Sequence, residues 1–212
     1  DELAGIIADE LNKQFKHQKV AYFLEDGSRS QMYSMTAFVK DDHLFLGHYG
    51  DYYSWHPNGK LKGIVRTARG KQHGEQISWY ADGSLSKIWN WHYKKPHGRW
   101  MEWYENGVTF FQGHYRYGKK HGKWTEWYDN EHIKSHGEYN LGTMIGHWTF
   151  YYENGIKEKE GSLVNGNADG LWVFYDDNSK KSQEGSFSNG TKEGQWTAWF
   201  EDGRLSEGYY AN

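Results

Sequence analysis

Twelve histidines and a recurring row of acids are the residues of this chain best suited to chemistry. His73, His97 and His121 recur at a spacing of 24 residues, as metal ligands on a repeating scaffold would. Glu105, Asp129, Glu153, Asp177 and Glu201 recur at the same spacing, as paired catalytic carboxylates would. Both readings fail on distance. If each 24-residue unit is a β-hairpin, equivalent residues lie two strands apart, roughly 9–10 Å. Zinc–nitrogen bonds are about 2.0–2.1 Å, so two such histidines cannot share an ion. The carboxyl pairs of retaining glycosidases stand about 5–5.5 Å apart and those of inverting ones about 6.5–9.5 Å. The acids also fall in turns, and the histidines are expected to stack on neighbouring rings. The sequence holds no nucleophile elbow, phosphate-binding loop or metalloprotease helix, and no cysteine for a disulfide or thiolate site. No cofactor is expected.

What remains is aromatic. The chain has 12 Trp, 17 Tyr and 10 Phe beside 26 Gly and only 2 Pro, with a mean hydropathy of -1.02. That composition argues for short strands and tight turns rather than a helical core. Burial must come from rings, each able to bury roughly 150–250 Å². A net charge of -3 leaves no electrostatic footprint for nucleic acid, and no stretch is long and apolar enough to span a bilayer.

The rings are ordered by a repeat. Gly98-Arg99-Trp100-Met101-Glu102-Trp103-Tyr104-Glu105-Asn106-Gly107 has near-copies beginning at Gly122, Gly146, Gly170 and Gly194, and weaker ones at Gly74 and Gly50. With the starting glycine as position 1, positions 3–7 form a strand, positions 9–10 a turn and positions 12–18 a returning strand. Asn-Gly or Asp-Gly at positions 9–10 predicts a two-residue type I′ turn. Asn130-Glu131 and Asn178-Ser179 predict a weaker turn or another type, because a non-glycine residue is strained at positive φ. The two-residue turn sets a register in which paired positions sum to 19. Trp100 then lies over Gly113, and Trp103 faces Phe110. One face, at positions 3, 7, 12, 16 and 18, carries the row Trp100, Trp124, Trp148, Trp172 and Trp196. The other, at positions 4, 6, 13, 15 and 17, is polar in repeats four to seven but keeps an aromatic at position 6.

These motifs resemble the MORN (membrane occupation and recognition nexus) repeat in its bacterial variant. The resemblance rests on the Trp-Tyr-Glu-Asn-Gly half and on a Gly-x-Tyr-x-x-Gly-Lys-x-His-Gly half, clearest over Gly113–Gly122. It implies an all-β, elongated, solenoid-like single-layer antiparallel sheet of stacked hairpins that scaffolds protein contacts. It also admits a bacterial immunity or antitoxin role. Repeats one and two depart from it, with Val65 and Trp89 where glycine is expected and Tyr52 and Gln76 in place of the first Trp.

The expected organisation is a helical cap at 1–17, a degenerate leading repeat at 18–49 with its extra length near Lys40–His43, and seven hairpin repeats over 50–212. Leu3, Ile7, Leu11 and Phe15 form the apolar stripe of the cap. A partner-binding or membrane-surface helix is the alternative to a cap, and the few lysines, Lys13 and Lys16, make membrane binding the weaker of the two. The second face is apolar only in repeats one to three, where it gathers Tyr53, Trp55, Ile64, Ile77, Trp79, Ile88, Met101, Trp103 and Phe110. Such a patch calls for a cover, supplied by the cap helix or by a partner. The candidate binding residues are therefore Trp55, Trp79, Ile88, Met101, Trp103 and Phe110, with Trp89, Trp91 and Trp127 beside them. The expected function is non-enzymatic protein binding. Carbohydrate or cell-envelope binding by the aromatic rows is the alternative. The final strand lacks charge or proline to blunt its edge, which admits a homodimer. The chain begins without Met, as a processed form or a fragment would, which leaves cytoplasmic and exported locations open.

Overall fold

The computed structural model describes residues 18–23, 29–40, 43–200 and 202–211, with side chains from residue 51 onward. The expected cap helix at 1–17 lies outside the described residues, as do Asp41 and Asp42. The chain divides into two units, residues 1–97 and 98–212. Among the described residues it is all strand and turn, in agreement with the all-β expectation.

The first unit contains β1 (Gln18–Phe23), β2 (Arg29–Lys40), β3 (His43–Trp55), β4 (Leu61–Ala68), β5 (Lys71–Trp79) and β6 (Leu85–His92). Each pairs antiparallel with the next. The long strands β2 and β3 pair from Gln31↔Ser54 to Lys40↔His43, so the extra length of the leading segment is taken up as ladder.

The second unit is entered along β7 (Lys95–Trp103) and continues as β8 (Thr109–Arg116), β9 (Lys119–Lys120), β10 (Gly122–Trp127), β11 (Ile133–Asn140) and β12 (Thr143–Tyr151). It ends with β13 (Lys157–Val164), β14 (Asn167–Tyr175), β15 (Lys181–Ser188), β16 (Thr191–Trp199) and β17 (Leu205–Tyr210). These form one antiparallel meander, in which β9 and β10 together follow β8.

The expected register holds along most of each hairpin: Gly98 faces Tyr115, and Trp100 faces Gly113. It breaks at the turn. The Asn-Gly end is a three-residue loop, not the two-residue type I′ turn expected. Gly107 donates its N–H to Tyr104 O at 3.0 Å, and Tyr104 donates to Val108 O at 2.8 Å. Only the glycine takes positive φ, +86° at Gly107, whereas a type I′ turn needs it at both central residues. The asparagine instead works through its side chain. Its Oδ1 accepts the N–H two residues on (Val108 to Asn106, 3.0 Å), and its amide donates to the next repeat's turn (Asn106 to Asp129 O, 2.6 Å). The acidic row thus serves the fold through its carbonyls. Glu131 and Ser179 adopt the same left-handed conformation at φ 72° and 66°, so repeats four and six keep the common loop rather than a different one. Type I′ geometry does occur, at the opposite ends of the strands, as in Asn165-Gly166 (φ 52° and 86°) and Asn189-Gly190 (47° and 86°).

In the first six repeats the three-residue loop is followed by a bulge. Trp103 pairs with Thr109 while Glu102 pairs with Phe111, which leaves Phe110 as the extra residue. The same step recurs at Trp127, Tyr151 and Tyr175. The seventh hairpin omits it: Trp196↔Gly208 runs on without a shift to Trp199↔Leu205. A second irregularity sits at the start of each repeat, where Gly161 pairs with Trp172 but Ser162 pairs with Asp169, leaving Gly170 and Leu171 over. Gly170 lies there at φ +76°, which explains an invariant glycine at position 1 of every repeat.

The core of the second unit is the row Trp124, Trp148, Leu163 and Trp172, joined by Phe111, Phe150 and Phe174. Each indole of this row covers the glycine of the preceding repeat, not the glycine it pairs with inside its own hairpin. A Cβ at Gly113 would overlap Trp124, one at Gly137 would overlap Trp148, and one at Gly161 would overlap Trp172. The expectation that Trp100 covers Gly113 is thereby corrected: Trp124 covers it, and Trp100 packs on Tyr115 at 4.7 Å. The backward lean lets the indole N–H reach a strand carbonyl at the starting bulge. Trp148 donates to Glu138 O at 3.2 Å, Trp172 to Ser162 O at 3.0 Å and Trp196 to Ser186 O at 3.0 Å.

Candidate functional surfaces

The bulge decides which residues share a face. Position 6 still points away from the Trp row, but position 12 joins it there and position 13 does not. Phe110 therefore does not lie opposite Trp103. It packs on Tyr104 at 5.0 Å and Phe111 at 5.5 Å, on the side of the core row. Tyr104, at position 7, is spent on the fold: its hydroxyl donates to Trp127 O at 3.0 Å. Tyr128 and Tyr152 repeat the bond to Tyr151 O and Tyr175 O, both at 2.9 Å.

In the first unit the second face carries an aliphatic row in direct register. Tyr53 pairs with Ile64, Ile64 with Ile77, and Ile77 with Ile88. Trp55 and Trp79 flank it beside Leu61 and Leu85. All are half-buried. Burial raises the Tyr53 phenol pKa, and Asp51, 3.4 Å from its hydroxyl, raises it further. Trp89 and Trp91 lie on the opposite face. Their rings meet edge to face at 6.0 Å, Lys87 sits 4.5 Å over Trp89, and Trp91 donates to Gln76 Oε1 at 3.1 Å. The candidate residues of this unit therefore fall on two surfaces: Trp55, Trp79 and Ile88 on one, Trp89 and Trp91 on the other.

His73 and His97 do pack on rings. His73 lies 4.6 Å from Tyr93 and 5.2 Å from His92, which is itself 5.7 Å from His97. Among the described residues no three His, Asp or Glu side chains are placed to hold a metal ion.

In the second unit Met101 is buried and Trp103 and Trp127 are half-buried, all on the second face. Here position 15 is Gln112, His136, Glu160 or Glu184 in repeats three to six instead of isoleucine. Glu160 is the most connected of them. Lys157 Nζ donates to its Oε1 at 2.8 Å, the Tyr175 hydroxyl donates to the same oxygen at 3.1 Å, and His147 Nε2 lies 3.4 Å from Oε2. The lysine bond holds the Glu160 carboxyl below the usual carboxylate range and raises the Lys157 ammonium above its own. Burial, then the bond to Glu160, raises the Tyr175 phenol. The next repeat copies the pair as Lys181 and Glu184 at 2.8 Å, beneath Trp199. Sequence reasoning missed these clusters, because positions 12 and 15 alternate to opposite faces in an unbulged strand. A Lys-x-x-Glu spacing directly after the turn, seen in consecutive repeats, was the available signal. Open clefts lie beside the rings, about 460 Å³ at Trp127 and His136 and about 1010 Å³ at Lys181 and Trp199.

Comparison with known proteins adds a family. The profile described as MORN repeat variant matches residues 49–67, 72–93, 96–117, 120–141, 144–165 and 168–189, more than half of the chain. Its segments contain the glycines that start six of the seven repeats. The bulge-free seventh hairpin is unmatched. No curated protein matches the chain. Among solved structures, a porin-like protein from Bacteroides uniformis ATCC 8492 is 8% identical, over 89% of this chain and 86% of its own, with a TM-score of 0.21. A protein with unknown function from Bacteroides fragilis NCTC 9343 is 6% identical, over 84% of this chain and 98% of its own, with a TM-score of 0.16. Superpositions this loose bear on neither fold nor function.

Proposed function

The chain belongs to the MORN repeat variant family, and from that premise we propose that it is a non-catalytic scaffold that holds a protein partner on the second face of its first unit. The observation that carries this is the in-register row Ile64, Ile77 and Ile88, flanked by Trp55 and Trp79. Aliphatic and aromatic side chains side by side are what the desolvated centre of a protein interface is made of. The equivalent row of the second unit runs Met101, Gln112, Thr125, His136, Thr149, Glu160, Val173 and Glu184, polar at most positions. The apolar surface is therefore a property of particular repeats and not a requirement of the hairpin.

A photo-crosslinking residue in place of Trp79, used in lysate of the native host, is expected to capture one discrete protein. Ile77→Glu and Ile88→Glu should abolish that capture while the β-sheet circular dichroism is kept. Undiminished capture by both folded variants would show that the row is not the interface.

A further inference from the structure

The second face of the second unit keeps its ring in every hairpin but breaks up the aliphatic row: Ile133, Val173 and Leu205 stand singly among Thr125, His136, Thr149, Glu160 and Glu184. Trp127, Tyr151, Tyr175 and Trp199 recur at position 6, two strands apart, a step of roughly 9–10 Å. Each is half-buried by its own strand neighbours. Groups that can donate or accept stand beside them. His136 Nε2 is 3.3 Å from the Tyr151 hydroxyl, Tyr175 is bonded to Glu160 at 3.1 Å, and Lys181 reaches both Glu184 (2.8 Å) and the Trp199 ring (6.0 Å to its centroid).

We propose that this face is a binding track for a neutral, extended, β-linked polysaccharide. Three features select that ligand. A pyranose has a flat C–H face and a rim of hydroxyls, so it needs a ring beneath it and polar groups beside it, which each hairpin supplies. An extended β-linked chain turns alternate sugars to the same side, so a row repeating every second strand meets every second sugar. Lys157 is paired with Glu160 and Lys181 with Glu184, and Lys123 at the Trp127 cleft is a single cation across from Glu138, so the face carries no cationic row for a polyanion such as single-stranded nucleic acid. The clefts at Trp127 and Trp199 lie open beside the rings, with room for the edge of a sugar. A protein interface would favour the continuous aliphatic row of the first unit, whereas the aliphatics of this face are isolated from one another.

Isothermal titration and tryptophan fluorescence with cellohexaose and chitohexaose test the track, with an α-linked dextran oligomer as control. One β-linked hexaose is expected to bind at least tenfold more tightly than its own disaccharide, and the dextran oligomer not to bind. Tyr175→Ala and Trp199→Ala should each weaken binding by roughly tenfold, the scale of one stacked ring. Tyr175→Phe should retain it, because the ring stays. Ile77→Glu, on the other unit, should leave it unchanged, so this proposal and the protein-binding proposal fail separately. Absence of binding by both hexaoses, affinity independent of chain length, or full affinity in both folded alanine variants would overturn the track.

Discussion

At the scale of single residues, the tryptophan at position 3 is the unit of cohesion. Trp148 is 2% exposed, lies on Gly137 and bonds Glu138 O. It also meets Tyr139 edge to face at 5.1 Å and stacks with Phe150 at 5.8 Å. Truncating it removes a fully buried indole and leaves the Glu138 carbonyl without that donor. Trp148→Ala is therefore expected to cost about 3–5 kcal/mol in urea unfolding. Gly137→Ala should cost at least about 1–3 kcal/mol, because its methyl group takes space that the ring fills. A loss below about 1 kcal/mol for Trp148→Ala would show that the indole is not a core residue.

At the scale of the hairpin, the loop and its bulge decide the chemistry of both faces. Seven copies of one loop require a left-handed residue at position 10, and two copies fill it with Glu131 and Ser179. Left-handed φ costs a non-glycine residue roughly 1–2 kcal/mol. Glu131→Gly and Ser179→Gly are thus expected to stabilise the protein by up to about 1 kcal/mol each, after the entropy that glycine adds to the unfolded chain. Thermal melts that fall in both variants would contradict the shared loop. The bulge is also what gathers Lys157, Glu160 and Tyr175. Without it the lysine would stand on the Trp side, and Glu160 would lose its strongest bond.

At the scale of the whole molecule, each repeat is completed by its successor: Trp148 covers Gly137 of the repeat before it, and Tyr128 bonds Tyr151 of the repeat after it. Stability in such arrays is a sum over neighbouring interfaces, so the end repeat is the least supported. β17 is exposed along its whole length, pairs only with β16 among the described residues, and has only the Tyr210 ring near Gly208. Strand addition by a second copy predicts a mass that rises with concentration in light scattering and is restored to the monomer by Tyr209→Pro. A constant monomer mass at high concentration would exclude it.

The sequence alone determined the repeat, its 24-residue frame and the pairing of Trp100 with Gly113, because a strict period and glycine-punctuated strands admit few other ladders. It also placed Trp55, Trp79, Ile88, Met101, Trp103 and Trp127 on the second face, since alternation is unbroken at positions 4, 6 and 15. Asn-Gly was ambiguous between a two-residue turn and a three-residue loop, which differ by one residue of register beside the turn. Only the tertiary structure decided that difference, through hydrogen bonds such as Tyr104 to Val108 and Asn106 to Asp129. The second of these bonds reaches the neighbouring hairpin, which local propensity does not sense. That single residue moves Phe110 to the core side and Lys157 to the other, where it meets Glu160 and Tyr175.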